Sequence, residues 1–209
     1  LSLTGGHLNP AVSFAMMLAG RISIIRFIVY LLFQLAGAIT CSALVLAVDP
    51  NGHRAALGAA NRLNTWVTVG TGVGAEILLT AIFVFVIFAA VDKSRSSSSA
   101  HLPVLAPFAI GITLFLCHMI AVPIDGCSVN PARSFGTAVV ANTWHDQWIF
   151  WVGPLIGGGV AGLLYEHLAY RSAVYATPAE GHSRFFKRHR SNGDAKHVPR
   201  QPAGEHEYT

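Results

Sequence analysis

Long apolar stretches alternate with short polar connectors along this chain of 209 residues. A helix needs roughly 20 mostly apolar residues to cross a bilayer. Four stretches meet that length, at about 24–48, 67–91, 102–124 and 148–168. Two further stretches, at about 9–19 and 130–141, are too short to cross and lie beside the long ones. The pattern predicts an all-α multi-pass membrane protein with four spanning helices and two re-entrant half-helices.

Composition narrows the class of protein. Hydrophobic residues make up 53% of the chain and charged residues only 11%, whereas soluble domains carry roughly 25% charged residues. The net charge is +4, but the basic residues lie mainly in the connectors and near the C-terminus, so nucleic-acid binding is not expected. The three cysteines, Cys41, Cys117 and Cys127, lie in or beside apolar stretches and are expected to be free thiols.

Basic residues predict how the chain is oriented. They cluster before the first span, between the second and third spans, and after the fourth span, three places that lie on the same side of the membrane. The positive-inside rule makes this side cytoplasmic. The residues are Arg21, Arg26, Lys93, Arg95, Arg171, Arg184, Lys187 and Arg188. Arg54 and Arg62, in the connector 49–66, weaken this pattern.

We expect a membrane domain at 1–170 and a polar, disordered cytosolic tail at 171–209. Since the chain begins inside a motif and without Met, we expect an upstream part to be missing.

Each short apolar stretch begins with the same triplet. "GGHLNPAV" contains Asn9-Pro10-Ala11, and "DGCSVNPARSFG" contains Asn130-Pro131-Ala132. Proline is favoured at the first helical position, and asparagine before it is a good N-cap. Either triplet alone would be an ordinary capped helix. Because Ser-Phe follows both triplets at the same offset, the pair predicts an internal repeat.

The repeat also predicts how the two half-helices meet. Three spans separate the triplets, so the second half-helix enters from the opposite membrane face, and the two N-termini meet. Each N-terminus carries about half a positive charge from its helix dipole. The meeting point should therefore repel cations, while the two asparagine amides can donate to a passing neutral oxygen. Paired broken helices of this kind indicate a pathway near the middle of the membrane.

His118 lies upstream of the second triplet, and two further motifs are "LPVLAP" at 102–107 and "DQWIFWVGP" at 146–154. Together with the two triplets, they resemble the motifs of aquaporins, in the major intrinsic protein family. The chain is most similar to the plasma-membrane intrinsic proteins of plants, over about residues 4–168. The resemblance implies an inverted repeat of six spans and two half-helices, with the first two spans absent here. It also implies a homotetramer, or a hetero-tetramer with related channels, in the plasma membrane. Water would flow passively while protons and ions are excluded, with no cofactor and no metal.

The resemblance further implies a selectivity filter made of His118, Cys127 and Arg133. Each residue has an alternative reading. Arg133 could pair with Asp125, His118 could be a histidine that bonds between helices, and Cys127 could be an inert small residue. A cation in the first turn of a helix opposes the dipole, at a cost of roughly 0.3–1 kcal/mol. This makes Arg133 the most informative of the three.

Several other residues are expected to support or regulate the channel. By resemblance, Glu76 holds backbone amides of a re-entrant loop; alternatively it is a protonated acid bonded to a neighbour. Gln34 is expected to play a similar part, and His7 belongs to the loop architecture. Serines beside basic residues are candidate phosphorylation sites, although a solvated linker is the alternative reading: Ser94, Ser96, Ser97, Ser98, Ser99 and Ser191.

An enzyme is not expected, because the sequence offers no nucleophile–base pair and no cluster of metal ligands. The expected partners are water as permeant, the lipid bilayer and related subunits. Two alternatives stay open: a channel that also passes glycerol, urea, peroxide or carbon dioxide, and a junctional or inactive regulatory subunit.

Overall fold

A computed structural model of the protein describes residues 5–48, 59–92 and 102–176. The chain divides into two units, Leu1–Glu166 and His167–Thr209, and the candidate site lies wholly in the first. The predicted tail beyond Ala176 and all the candidate phosphorylation sites lie outside the described residues: Ser94, Ser96, Ser97, Ser98, Ser99 and Ser191.

The described residues form six helices. They are α1 (Pro10–Leu18), α2 (Ile24–Val48), α3 (Val69–Val91), α4 (Leu102–Asp125), α5 (Pro131–Ala141) and α6 (Ile149–Ala176). Four of them, α2, α3, α4 and α6, are long and apolar enough to cross a membrane. The predicted all-α arrangement of four spans and two short helices is therefore confirmed.

Two boundaries differ from the prediction by two residues or more, each for a local reason. Helix α3 begins two residues late because Thr68 is its N-cap: the Thr68 hydroxyl accepts a hydrogen bond from the Thr71 amide at 3.2 Å. Helix α6 continues past the apolar stretch to Ala176. No proline interrupts it there, since the next proline in the sequence is Pro178, and a hydropathy pattern does not show a helix that continues into polar sequence.

The two short helices begin and end as their sequences predict. Asn9 and Asn130 have extended backbone and serve as N-caps, and a proline occupies the first position of each helix. After α1 the chain turns through Gly20 at φ 67°, and α5 ends on Asn142 in the left-handed conformation at φ 49°. Glycine and asparagine are the residues that adopt this conformation most easily at a helix C-terminus.

Glycines on α6 allow both α3 and the half-helix α1 to approach closely. A β-carbon at Gly153 would lie 2.6 Å from Cβ of Glu76, and one at Gly157 would overlap the carbonyl oxygen of Ile77. At the next position of the helix, a β-carbon at Gly158 would lie 2.9 Å from the carbonyl oxygen of Ala11. Membrane helices pack through small residues in this way, and here the packing fixes α1 between longer helices.

A half-buried ion pair holds the far end of α1. Arg21 Nε donates to Glu166 Oε1 at 2.6 Å, and the guanidinium lies 4.4 Å from the ring centre of Phe88. Beside it, the Tyr165 hydroxyl donates to the carboxylate of Asp92 at 2.9 Å. The segment that leaves the half-helix is thereby fixed to α3 and α6.

The close packing at Gly157 predicts the effect of a single methyl group. Gly157→Ala should lower the free energy of unfolding by about 1–3 kcal/mol, because the new β-carbon forces α3 and α6 apart. The control is Gly111→Ala on α4, where a β-carbon meets open space and alanine favours the helix. Thermal unfolding in detergent should show a lower midpoint for Gly157→Ala alone; equal midpoints would contradict the packing argument.

Candidate functional site

The two asparagines cap their own helices with their side-chain oxygens. Asn9 Oδ1 accepts from the Ala11 amide at 2.8 Å, and Asn130 Oδ1 accepts from the Ala132 amide at 3.0 Å. Each oxygen thus satisfies an N–H group that would otherwise have no partner at the helix start. The orientation of both amide groups is fixed as a result.

The side-chain nitrogens of the same asparagines cross to the opposite motif. Asn9 Nδ2 donates to the carbonyl of Val129 at 2.8 Å, and Asn130 Nδ2 donates to the carbonyl of Leu8 at 3.0 Å. Each acceptor is the residue just before the other asparagine, so the exchange is symmetric. The predicted meeting of the two N-termini is confirmed. An amide nitrogen has two N–H groups, and this exchange uses one from each asparagine.

The backbone before each asparagine repeats the same unusual conformation. Leu8 and Val129 have φ values of 55° and 53°. Two residues earlier, Gly6 and Cys127 have φ values of 53° and 58°. A left-handed conformation is strained for a β-branched residue such as valine and costs of order 1–3 kcal/mol. The backbone of both motifs is therefore held in place by the contacts around it.

Glu76 supplies two of those contacts at the second motif. Its carboxylate accepts from the Ser128 amide at 2.7 Å and from the Val129 amide at 2.7 Å. The side chain is fully buried on α3. Asp125 adds a third bond, since its Oδ1 accepts from the Cys127 amide at 2.9 Å. Three consecutive amides of the loop thus each donate to a carboxylate oxygen.

His7 and Gln34 lie around the first motif. His7 Nδ1 lies 3.0 Å from the Ser13 hydroxyl, and Gln34 Nε2 donates to the same hydroxyl at 3.0 Å. Burial lowers the pKa of His7, and the positive charge of Arg26 lowers it further, so the ring is neutral at pH 7. Both side chains therefore hold the start of α1 without adding charge.

Arg133 is held by neutral acceptors. Its terminal nitrogen donates to the carbonyl of Ala59 at 2.9 Å and to Oδ1 of Asn61. Within the described residues no salt bridge joins Arg133 to Asp125, although the two groups interact electrostatically at longer range. Sequence analysis missed Asn61 altogether, because nothing in the polar connector distinguishes it from its neighbour Asn64.

Cys127 lies in the loop before the second motif, but neither Cys127 nor His118 is hydrogen-bonded to Arg133 in the part of the chain described. His118 is half-buried on α4, and its Nδ1 lies 2.9 Å from the carbonyl of Leu114, so Nδ1 carries the proton. Cys127 is fully buried. Burial raises the pKa of its thiol, and the nearby carboxylate of Glu76 raises it further. The thiol therefore stays protonated at neutral pH.

A cavity of about 860 Å³ opens beside the two motifs. The motif residues in its wall include His7, Leu8, Asn130 and Arg133, and α2 contributes an apolar side that includes Phe33. The cavity wall thus combines a guanidinium and an asparagine amide with a largely apolar surface. Among the described residues, no group of three or more possible metal ligands occurs.

Four helices long and apolar enough to span a membrane, together with two half-helices that meet at their N-termini, define a membrane protein built on an internal repeat. The chain belongs to the major intrinsic protein family, whose family model matches residues 1–165.

The chain is similar to several plant aquaporins. It is 44% identical over 175 residues to probable aquaporin PIP2-2 of Oryza sativa subsp. japonica, covering 82% of this chain and 61% of that protein. It is 43% identical over 176 residues to aquaporin PIP1-3 of Arabidopsis thaliana, covering 83% of this chain and 61% of that protein. The chain thus spans about three-fifths of the length of these relatives, and the predicted resemblance is confirmed.

A solved structure supports the fold. The X-ray structure of the aquaglyceroporin from Plasmodium falciparum matches with a TM-score of 0.64 at 21% identity. The match covers 77% of this chain and 72% of that one. At this identity the likeness shows the fold alone.

The contribution of the Glu76 carboxylate to the stability of the loop can be tested directly. Glu76→Gln replaces one acceptor oxygen by an N–H donor, so a buried amide of Ser128 or Val129 loses its partner, at a cost of about 1–3 kcal/mol. Thr80→Val is the control: Thr80 is buried one turn along α3, and its hydroxyl has no hydrogen-bond partner among the described residues. We expect a lower thermal midpoint in detergent for Glu76→Gln only. Equal midpoints would show that Glu76 does not stabilise the loop.

Proposed function

We propose that this protein is a channel that lets water cross the membrane passively while excluding protons and ions. The observation that carries the proposal is the pair of capping asparagines, whose amide nitrogens meet at the junction of two helix N-termini. Identity of more than 40% with proteins named aquaporins supports it. Aquaporins are channels rather than enzymes, which agrees with the expectation from the sequence.

The proposed mechanism follows from the donors at the junction. One N–H group of each asparagine is engaged by the opposite motif, so the second is available to a water oxygen. A water that accepts there points its own hydrogens away from the junction, which interrupts any continuous chain of proton-transferring waters. The positive ends of both half-helices disfavour cations at the same place. Half-helix dipoles and an arginine are the elements by which aquaporin-type pores in general exclude protons and cations.

Selectivity between water and larger neutral solutes is proposed to depend on His118, Cys127 and Arg133. Arg133 lines the cavity and its two hydrogen-bond acceptors are neutral, which supports a role in repelling cations. His118 keeps Nδ1 bonded to its own helix, so Nε2 is free to accept from a permeant. A histidine here would narrow the passage against glycerol and urea.

The cellular setting is part of the proposal. Relatives named plasma-membrane intrinsic proteins support a place in the plasma membrane, and the basic residues support a cytosolic C-terminus. We propose that the channel is a tetramer, as the family resemblance implies, and that phosphorylation of the serines between α3 and α4 regulates it. A junctional or inactive subunit is the alternative that the flux measurement below excludes or supports.

The test is osmotic water flux in vesicles that contain the full-length protein to which this chain belongs. We expect water permeability well above that of empty vesicles, with no increase in proton permeability. Vesicles that swell no faster than empty ones would contradict the proposal and favour an inactive or junctional subunit.

The filter has its own prediction. His118→Gly should let urea or glycerol pass in the full-length protein, because the passage widens and loses the polar imidazole side chain. Met119→Gly, at the next position of α4 and 63% exposed, carries the same backbone cost of roughly 1 kcal/mol and should leave selectivity unchanged. If His118→Gly excludes both solutes as well as the parent does, His118 does not belong to the filter.

A further inference from the structure

Two acidic side chains lie side by side in the interior behind the second motif. Glu76 on α3 and Asp125 at the end of α4 are both buried, at 0% and 1% exposure. Together they accept hydrogen bonds from three consecutive amides of the loop, those of Cys127, Ser128 and Val129. Because these amides are neighbours in the chain, the two carboxyl groups share one small space, and their side chains interact directly.

One oxygen of this pair lacks a donor. Asp125 Oδ1 accepts from the Cys127 amide at 2.9 Å, whereas Asp125 Oδ2 is buried and receives no hydrogen bond from the described residues. A buried polar atom without a partner is costly. Two ionised carboxylates cannot make the missing bond with each other, because an ionised carboxylate only accepts. A proton on one of the two acids supplies it, since a protonated carboxyl group carries an O–H donor.

The charges around the pair favour one negative charge rather than two. Like charges a few ångströms apart in a buried site cannot both persist without a large cost. On α5, Arg133 attracts both acids at longer range, but its guanidinium is bonded by neutral acceptors. The thiols of Cys117 and Cys127 are buried beside the pair and supply no positive charge. Arg62, on the loop packed against the end of α4, is exposed.

We propose that Glu76 and Asp125 bind a single proton between them, and that this buried proton holds the second motif in its conducting arrangement. The shared proton completes the hydrogen bonds of the pair and removes the repulsion between two anions. Val129 links the pair to the half-helices, because its amide donates to Glu76 at 2.7 Å and its carbonyl accepts from Asn9 at 2.8 Å. Loss of the proton therefore reaches the junction through one residue. The effect on permeation rests on the proposed water-channel function.

A shared proton makes the stability of the protein depend on pH in a definite direction. In the unfolded chain both carboxyl groups ionise at about pH 4, whereas the folded protein keeps one proton to higher pH. The folded state then binds more protons than the unfolded state, so the free energy of unfolding falls as the pH rises. The fall ends at the pH at which the pair loses its proton, since both states are then fully ionised.

Asp125→Asn is the informative variant, with Asp146→Asn as its matched control. The asparagine retains an oxygen for the Cys127 amide, and its Nδ2 donates where the protonated acid would, so the pair no longer needs a proton. Asp146→Asn makes the same change in the connector before α6, at an aspartate that lies 2.6 Å from Nδ1 of His145.

The experiment follows the thermal midpoint of the full-length protein in detergent from about pH 5 to about pH 9. The midpoint of the parent should fall by about 4 °C or more over this range, and Asp146→Asn should show the same fall. Asp125→Asn should show no such fall and should unfold at a higher temperature than the parent at the alkaline end. Parallel curves for the parent and Asp125→Asn would overturn the proposal.

A second measurement decides the matter if Asp125→Asn does not fold. Infrared spectra of the parent at about pH 7 should contain the carbonyl band of a protonated carboxyl group. The band should disappear over the pH range in which the midpoint falls. A spectrum without this band at neutral pH overturns the shared proton.

Water permeability of vesicles separates this proposal from the proposed function. The parent should lose permeability between about pH 6 and about pH 9, and Asp125→Asn should abolish the difference between the two conditions. A parent that conducts water at neither pH contradicts the water-channel function, and the midpoints and infrared spectra then decide whether the proton is present. Equal permeability at both pH values in a conducting parent whose midpoint falls would overturn the control of conduction by the proton.

Discussion

The exchange of hydrogen bonds between the two asparagines is the interaction on which the rest of the site depends. Leu8 and Val129 hold a left-handed backbone, and the carbonyl of each is bonded by the asparagine of the opposite motif. Neither motif supplies the asparagine donor that bonds its own backbone carbonyl at this position. The two half-helices are therefore mutually dependent, and their N-termini are held together at the junction by direct contact rather than by the surrounding helices only.

The two motifs are held in place by different kinds of side chain. At the second motif, three consecutive amides donate to carboxylates of Glu76 and Asp125. At the first motif, the neutral side chains of His7 and Gln34 bond the hydroxyl of Ser13. Irregular backbone at membrane depth is tolerated only when its polar groups find partners. The repeat is thus symmetric in its backbone and asymmetric in its charge.

Local signals were enough to predict the six helices and the two asparagine N-caps. The spans follow from length and hydropathy, and Asn-Pro predicts both N-caps because it depends only on neighbouring residues. Contacts between distant segments were not predictable. Asn61 and the pair of Arg21 with Glu166 have no sequence pattern that joins their partners. The filter assignment came from family resemblance, and the geometry adds to it only the neutral acceptors of Arg133.

The distribution of charge around the second motif gives the asymmetry a functional meaning. The carboxylates of Glu76 and Asp125 are buried and turned toward backbone amides, whereas Arg133 lies in the wall of the cavity. The carboxyl groups thus hold the loop from the protein side, while the guanidinium lies at the cavity. In low dielectric this separation matters, because buried charges are screened little by salt. The carboxylates of Glu76 and Asp125 are engaged by amides of the loop and the guanidinium of Arg133 by neutral acceptors, so one short segment holds both kinds of group without a salt bridge between them among the described residues.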